Sequence, residues 1–244
     1  MDFRVWDRPP VRWLAPARPH KLNAWTYEMA ARLTEEFSAA DQDDSVAVIV
    51  LAGTGGVFSA GIDRSVIAGE IRQTPFDVEA FIRSRKPTVA CVDGLAYGMG
   101  ATSALACDLR VASARASFVF GFVRIGLTPE WGSSFLLSRQ VGLSRAMDLC
   151  LTGRPVAADE AYRIGLVDRV VDGEADAVEE ATQALAEQIA ANDTGTVQRT
   201  KALLWAGFEA AELARARAAE LDAALERRRW LKEHADSPSR RDPA

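Results

Sequence analysis

The sequence predicts an α/β fold over residues 1–190, followed by a C-terminal helical region over residues 191–244 that ends in a frayed tail. Three observations carry this. The runs VAVIVLAG (residues 46–53) and PTVACVDG (87–94) are continuous, apolar and rich in β-branched residues, the pattern of strands covered on both faces. The chain between them suffices for the crossover that joins parallel neighbours. Beyond residue 130 helical periodicity takes over, interrupted as a strand only by LVDRVV (166–171).

In chain order, FRVWD (3–7) and VRWLA (11–15) read as a strand pair turned by Pro9 and Pro10. From Thr26 a helix presents Met29, Leu33, Phe37 and Ala40 on one face, with Glu35 and Glu36 outward. The acidic stretch DQDDS (41–45) ends it as a solvated loop, without the spacing of a calcium loop. Between the two buried runs, residues 64–86 form helical pieces interrupted by Pro75. A helix begins near GMGATSALAC (98–107), then short strands follow in DLRVAS (108–113) and SFVF (117–120). Helical segments occupy 131–142, 144–153, 157–165 and 174–192, and a long final helix runs through 211–230.

Composition removes several functional classes. The 244 residues are 48% hydrophobic and 26% charged, enough to bury a sizeable core. The net charge of −5, with basic residues scattered among acids, argues against nucleic acid as partner. Cys91, Cys107 and Cys150 form neither a CxxC pair nor an even framework, so a reducing cytoplasm is expected. The start MDFRVWDRPP lacks the basic and apolar regions of a leader, and no apolar run approaches the roughly 18 residues of a membrane span.

Two glycine-rich loops ask for an explanation. GTGGVFSAGID (53–63) and GLAYGMGATS (94–103) each leave a buried strand and enter a helix. A nucleoside-triphosphate loop needs Gly-Lys, a pair the chain lacks. A dinucleotide fingerprint needs a third glycine where Ser103 stands, and an acid downstream where residues 109–129 hold none. Ser59 lacks the GxSxG surroundings of a nucleophile, because Val57 stands two residues before it. His20 and His234 are the only histidines, the first beside Lys21 in a turn and the second in the tail, so neither a catalytic triad nor a histidine metal cluster is expected. What remains is a main-chain role: unpaired N–H groups at two helix starts, aimed at developing negative charge, or simply two tight turns.

Five segments in order resemble the enoyl-CoA hydratase/isomerase, or crotonase, family: RPHKLNAW (18–25), GVFSAGID (56–63), VDGLAYGMGATSALACDLRVAS (92–113 with its leading valine), IGLTPEWGSSFLLSRQVG (125–142) and LTGRPVAADEAYRIGLVDRVV (151–171). The resemblance covers roughly residues 10–175, and the ordered set is far more specific than any one motif. It implies a crotonase-like ββα spiral core, with residues 191–244 serving trimerisation and capping in a homotrimer or dimer of trimers. It also implies an acyl-CoA or enoyl-CoA substrate, with no metal or redox cofactor and coenzyme A arriving as part of the substrate. The N–H groups of Ile62 and Met99 would bind the thioester oxygen. Lys21, Ala60, Gly61, Asp63, Gly98, Thr102, Phe122 and Trp131 would border the ligand.

Hydratases of that family carry two glutamates, at positions that read Thr102 and Phe122 here, so water addition is not expected. Glu130, in TPEWGSS, resembles instead the single glutamate of peroxisomal-type Δ3,Δ2-enoyl-CoA isomerases. Thr128, Pro129 and Glu130 also read as an ordinary helix start. The expected activity is therefore isomerisation of 3-enoyl-CoA to 2-enoyl-CoA with Glu130 as base. The alternatives are thioester hydrolysis, since relatives place an Asp near this position, and an acyl-CoA-binding protein without activity. Lys21, Arg18 and Arg64 are candidates for the CoA phosphates, and Asp63 for a helix cap. Phe76 and Phe81 belong to the acyl site or the core, and the tail ERRRWLKEHADSPSRRDPA matches no family segment.

Overall fold

The first strands form where the prolines divide them. In the computed structural model, which describes residues 2–68, 77–173, 175–206 and 210–233, β1 (Phe3–Arg8) pairs antiparallel with β2 (Val11–Pro16). The register runs without a break from Phe3 opposite Pro16 to Arg8 opposite Val11. Phe76 and His234 lie outside the described residues.

Helix α1 (Tyr27–Gln42) starts at Thr26, whose hydroxyl accepts the Met29 N–H at 3.3 Å, a cap worth about 1 kcal/mol. It buries Met29, Leu33, Phe37 and Ala40 as the periodicity requires. The helix continues two residues into the acidic stretch read as loop. Lys86, almost fully buried, donates from Nζ to the carbonyls of Ala40 and Asp43 and so satisfies the groups a helix end leaves unpaired.

The remaining elements follow as β3 (Val48–Ala52), α2 (Arg64–Ala68), α3 (Val78–Arg83), β4 (Thr88–Val92), β5 (Leu95–Tyr97), α4 (Met99–Leu105), β6 (Leu109–Ser113) and β7 (Ser117–Val119). Then come α5 (Ser133–Val141), α6 (Leu143–Thr152), β8 (Pro155–Ala157), α7 (Ala158–Arg163), β9 (Arg169–Val171), α8 (Ala175–Ala190), α9 (Thr194–Ala206) and α10 (Ala210–Glu233). One sheet has the order β1-β2-β3-β4-β6-β9, parallel from β2 onward. A second, β5-β7-β8, stands beside it. The strands β5 and β8 went unread in the sequence because three residues show no alternation, so the late strand β9 is not alone.

Both faces of the larger sheet are covered, which explains the uninterrupted apolar runs of β3 and β4. Val48, Val50, Val89, Cys91 and Val111 pack under Val178, Leu185 and Ala186 of α8. Leu14, Ile49, Leu51, Ala90 and Val92 face the cluster built by α1, α3, α4 and α5. Phe81 is part of that core, stacked on Phe37 with ring centroids 3.9 Å apart. Helix α9 is fastened by Asp108, which accepts from Lys201 Nζ and Trp205 Nε1, each at 2.8 Å, and from the Thr88 N–H at 2.7 Å.

Candidate active site

The first glycine loop is shaped from outside by Asn23. This residue is fully buried and lies at φ 53°, a left-handed conformation that Asn tolerates better than most side chains. Its Nδ2 donates to the carbonyls of Thr54 (2.8 Å) and Val57 (2.6 Å), and its Oδ1 accepts the Arg18 N–H (2.9 Å). Ser59 has a related task. Its buried Oγ donates to the Asn23 carbonyl (2.9 Å) and accepts the Gly61 N–H (3.1 Å), so it staples the loop and has no exposed nucleophilic oxygen. The asparagine was present in the RPHKLNAW segment, but only its contacts reveal what it holds.

Beyond Ser59 the loop pairs with Trp25. The Trp25 N–H donates to the Gly61 carbonyl (2.7 Å) and the Asp63 N–H to the Trp25 carbonyl (2.8 Å). Extended backbone alternates its polar groups, so the Ile62 N–H between them points away from Trp25. In the second loop the Gly98 N–H donates to Val119 (2.8 Å) and the Gly98 carbonyl accepts from Thr102 (2.9 Å). Met99 then opens α4, where helix geometry leaves its N–H without an internal partner. Among the described residues neither the Ile62 nor the Met99 N–H meets an acceptor.

Gly61 brings these two groups together. It lies at φ +85°, and a Cβ built on it would fall 2.7 Å from the Tyr97 carbonyl oxygen and 3.4 Å from the Met99 nitrogen. Only a residue without a side chain permits that approach. Gly100 does the same one turn on, where a Cβ would fall 2.5 Å from the Ser59 carbonyl oxygen. The loops are thus packed backbone to backbone, with two unpaired donors at their junction and the positive end of α4 behind one of them.

The surroundings are dry. Ile62 packs against an apolar cluster that includes Met99, Phe122, Leu127 and Trp131. Phe122 begins a 3₁₀ turn (Phe122–Ile125), and its ring edge would lie 3.8 Å from a Cβ on Gly98. Thr102 has no solvent exposure, and its Oγ1 donates back to the Gly98 carbonyl at 3.2 Å. Neither position supplies an ionisable group.

Glu130 lies in an irregular segment, not at a helix start as its sequence context suggests. Helix α5 begins three residues later, with Gly132 at its N-cap, because Trp131 (φ 61°) and Gly132 (φ 75°) take two successive left-handed conformations. For tryptophan this costs about 1–2 kcal/mol, offset by burying its indole. The turn is gripped from α10, where Glu220 accepts the Gly132 N–H (2.7 Å) and the Ser134 N–H (2.8 Å). Nothing in the sequence marks Glu220. On either side of Glu130, the buried hydroxyls of Thr128 and Ser133 have no partner among the described residues.

Several residues assigned to the ligand on sequence are otherwise engaged. Arg18 is no free phosphate anchor: it pairs with Asp63 (3.2 Å) and Asp2 (3.3 Å) and donates to the Ala24 carbonyl. Asp63 caps the start of α2, accepting the Ser65 N–H and hydroxyl (2.9 and 2.8 Å), and these bonds with Arg18 hold its carboxyl below the usual value. The Ala60 N–H donates to the Leu22 carbonyl (2.8 Å). Lys21 and Arg64 are exposed beside the first loop. Burial pushes the Cys91 and Cys107 thiols up to about 12, which leaves them unreactive. Among the described residues no cluster of His, Cys, Asp and Glu is suited to a metal ion, and no helix is long and apolar enough to cross a membrane. A cavity of about 450 Å³ opens between α3 and α9, with Ile82, Phe135, Ala202 and Trp205 in its wall. It meets the Glu130 segment through Phe135 on α5.

Comparison with known proteins agrees with this geometry. Residues 14–229 match the family model described as enoyl-CoA hydratase/isomerase. A probable peroxisomal enoyl-CoA hydratase of Arabidopsis thaliana is 37% identical over 197 residues, covering 79% of this chain and 74% of that protein. A 4-chlorobenzoyl coenzyme A dehalogenase of an Arthrobacter species is 42% identical over 166 residues (63% of this chain, 60% of the other). The 1,2-epoxyphenylacetyl-CoA isomerase of Escherichia coli is 36% identical over 192 residues, 73% of each chain. The crystal structure of an enoyl-CoA hydratase/isomerase from Pseudoalteromonas atlantica superposes with a TM-score of 0.86 at 32% identity, covering 93% of this chain and 91% of that one.

Proposed function

The chain belongs to the enoyl-CoA hydratase/isomerase family and has its crotonase-like fold, and on that premise we propose that it isomerises 3-enoyl-CoA to 2-enoyl-CoA. The observation that carries the reading is the meeting of two unpaired N–H groups, on Ile62 and Met99, across the bare Cα of Gly61. Such a pair stabilises an enolate oxygen. Each donor of this kind is worth about 2.7–4 kcal/mol in the transition state.

The choice of reaction rests on the acids. With Thr and Phe at positions 102 and 122, the site has no pair of carboxylates to activate water, whereas a 1,3-proton shift needs only one base. Glu130 takes the proton from C2, the two N–H groups hold the dienolate oxygen, and the protonated carboxyl returns the proton at C4. The neighbouring apolar side chains exclude water from the intermediate. Lys21 and Arg64, exposed at the first loop, are placed to meet phosphate charge on coenzyme A. We further propose a homotrimeric assembly or a dimer of trimers. Leu143, Met147 and Leu151 form an exposed apolar stripe along α6 that self-association would cover.

Purified protein and its Glu130→Gln variant are incubated with 3-enoyl-CoA, 2-enoyl-CoA and saturated acyl-CoA while conjugation, hydration and thiol release are followed. The expected result is conjugation of 3-enoyl-CoA, lost in the variant by at least about 10²-fold. Equal rates refute the base assignment. The relatedness to a dehalogenase acting on an acyl-CoA keeps one second reading, in which the Glu130 carboxylate serves a reaction at the acyl group such as thioester hydrolysis. Release of free thiol from saturated acyl-CoA identifies it.

A further inference from the structure

We infer that Glu220 on α10 is a positioning residue for the reaction, fixing the backbone of the turn that presents Glu130. The inference rests on the assignment of Glu130 as base. Its two carboxylate oxygens each take one N–H, from Gly132 at 2.7 Å and from Ser134 at 2.8 Å. Gly132 and Ser134 bracket the N-cap and first turn of α5, and the segment just before them holds Glu130 and the left-handed Trp131. No local hydrogen bond from the preceding strand or turn secures this stretch beyond the Ser133 N–H to the Glu130 carbonyl at 3.2 Å. A bidentate carboxylate at the positive end of α5 supplies the fixed point.

The anchoring carboxylate is itself held. Glu220 is 7% exposed, and burial raises its pKa while the bonds from Ser134 and Gly132 and the charge of Arg217 pull the other way. Arg217, one turn earlier on α10, reaches Glu79 of α3 at 2.6 Å. Helix α10 is therefore docked on two elements at once, and the docking is separable from the carboxylate. A ligand-facing base on an unanchored turn wanders, and a misplacement of about 1 Å costs on the order of 10²-fold in rate.

Full-length wild type and the variants Glu220→Gln, Glu220→Asp, Arg217→Gln and Glu130→Gln are compared on 3-hexenoyl-CoA, with amide hydrogen exchange followed in parallel. Glu220→Gln keeps the shape but sets an amide NH₂ against one of the two donors. The expected result is a kcat lowered by at least about tenfold with KM held within about twofold, and faster exchange at the Gly132 and Ser134 amides. Arg217→Gln should stay near wild type. Glu220→Asp, which keeps the charge on a shorter stem and covers the case of a Gln variant that does not fold, should fall between.

Faster exchange with unchanged kcat overturns the proposal and leaves Glu220 a plain helix cap. Equal losses in Arg217→Gln and Glu220→Gln also overturn it, since docking of α10 as a whole then sets the rate. A slow Glu130→Gln enzyme beside a fast Glu220→Gln enzyme removes the positioning role alone. A Glu130→Gln enzyme as fast as wild type removes the base assignment and the positioning role with it.

Discussion

Replacing Gly61 by alanine tests the junction of the two loops directly. The new methyl carbon would stand 2.7 Å from the Tyr97 carbonyl oxygen, well inside the roughly 3.5 Å at which non-bonded atoms rest. Because that neighbour is backbone, the loops must part by several tenths of an ångström, and the Ile62 and Met99 N–H groups part with them. Two costs follow. The positive φ of +85° costs about 1–2 kcal/mol for a side-chain-bearing residue, and overpacking adds about 1–3 kcal/mol. At roughly 2–4 °C per kcal/mol for a chain of this size, Tm should fall by roughly 5–15 °C. Loss of one donor should lower kcat by about 10²–10³. Gly142→Ala is the control: its φ is +83°, but a Cβ there meets nothing within 4 Å, so only the conformational cost applies. Thermal melts and steady-state turnover of a 3-enoyl-CoA are measured on both. If Gly61→Ala turns over within about twofold of wild type while losing stability, the spacing of the two donors does not govern the chemistry and the reasoning fails.

Two further predictions concern the frame around the site. Asp63→Asn should cost about 1 kcal/mol near neutral pH by weakening the cap on α2 and the pair with Arg18. Because the folded Asp63 has its pKa lowered, its stabilisation is complete above the ordinary aspartate value of about 3.9 and is lost as pH falls through the folded value. Urea midpoints of wild type and variant should therefore differ at pH 7 and converge in acid, and a gap that persists there refutes the assignment. The pair Met147→Lys and Leu151→Lys, made together on the α6 stripe, should reduce the mass seen by sedimentation from a multiple of 26.5 kDa to a single chain. An unchanged mass places the assembly contact elsewhere.

The parts of the molecule legible in the sequence are those whose cause is local. The buried strands β3 and β4 and helix α1 announce themselves because burial on both faces, or on one helical face, imposes a period that composition alone displays. The glycine loops were legible as main-chain sites for the same reason: eliminating each side-chain chemistry left the backbone. Other features were misread where a distant partner decides. Arg18 looked free for phosphate because Asp63 stands 45 residues away, and their contact exists only once Trp25 pairs with the first loop. Thr128, Pro129 and Glu130 carry every local mark of a helix start, but burial of Trp131 and the grip of Glu220 on Gly132 move the start to Ser133. Glu220 itself is one acid in a charged helix until α10 packs on α5.

The same separation between scaffold and chemistry explains why Thr102 matters more by what it forbids than by what it does. Because the oxyanion donors are main-chain groups, Ile62 and Met99 are free to be apolar, and the loops keep their function whatever acid sits nearby. The acid positions have no such freedom. Thr102 has no exposed surface, and its hydroxyl is committed to the carbonyl of Gly98, the residue whose backbone sets up the Met99 donor. A glutamate there would bring a longer, charged side chain into a space closed by Phe122 and Met99, where an ionised carboxylate without a partner is far costlier than the threonine it replaces. Relief would require the start of α4 to shift, and with it the very N–H that binds the oxyanion. Water-adding chemistry is therefore not one substitution away from this site, and the acid function has to enter along the one segment that can move without disturbing the donors, the turn carrying Glu130.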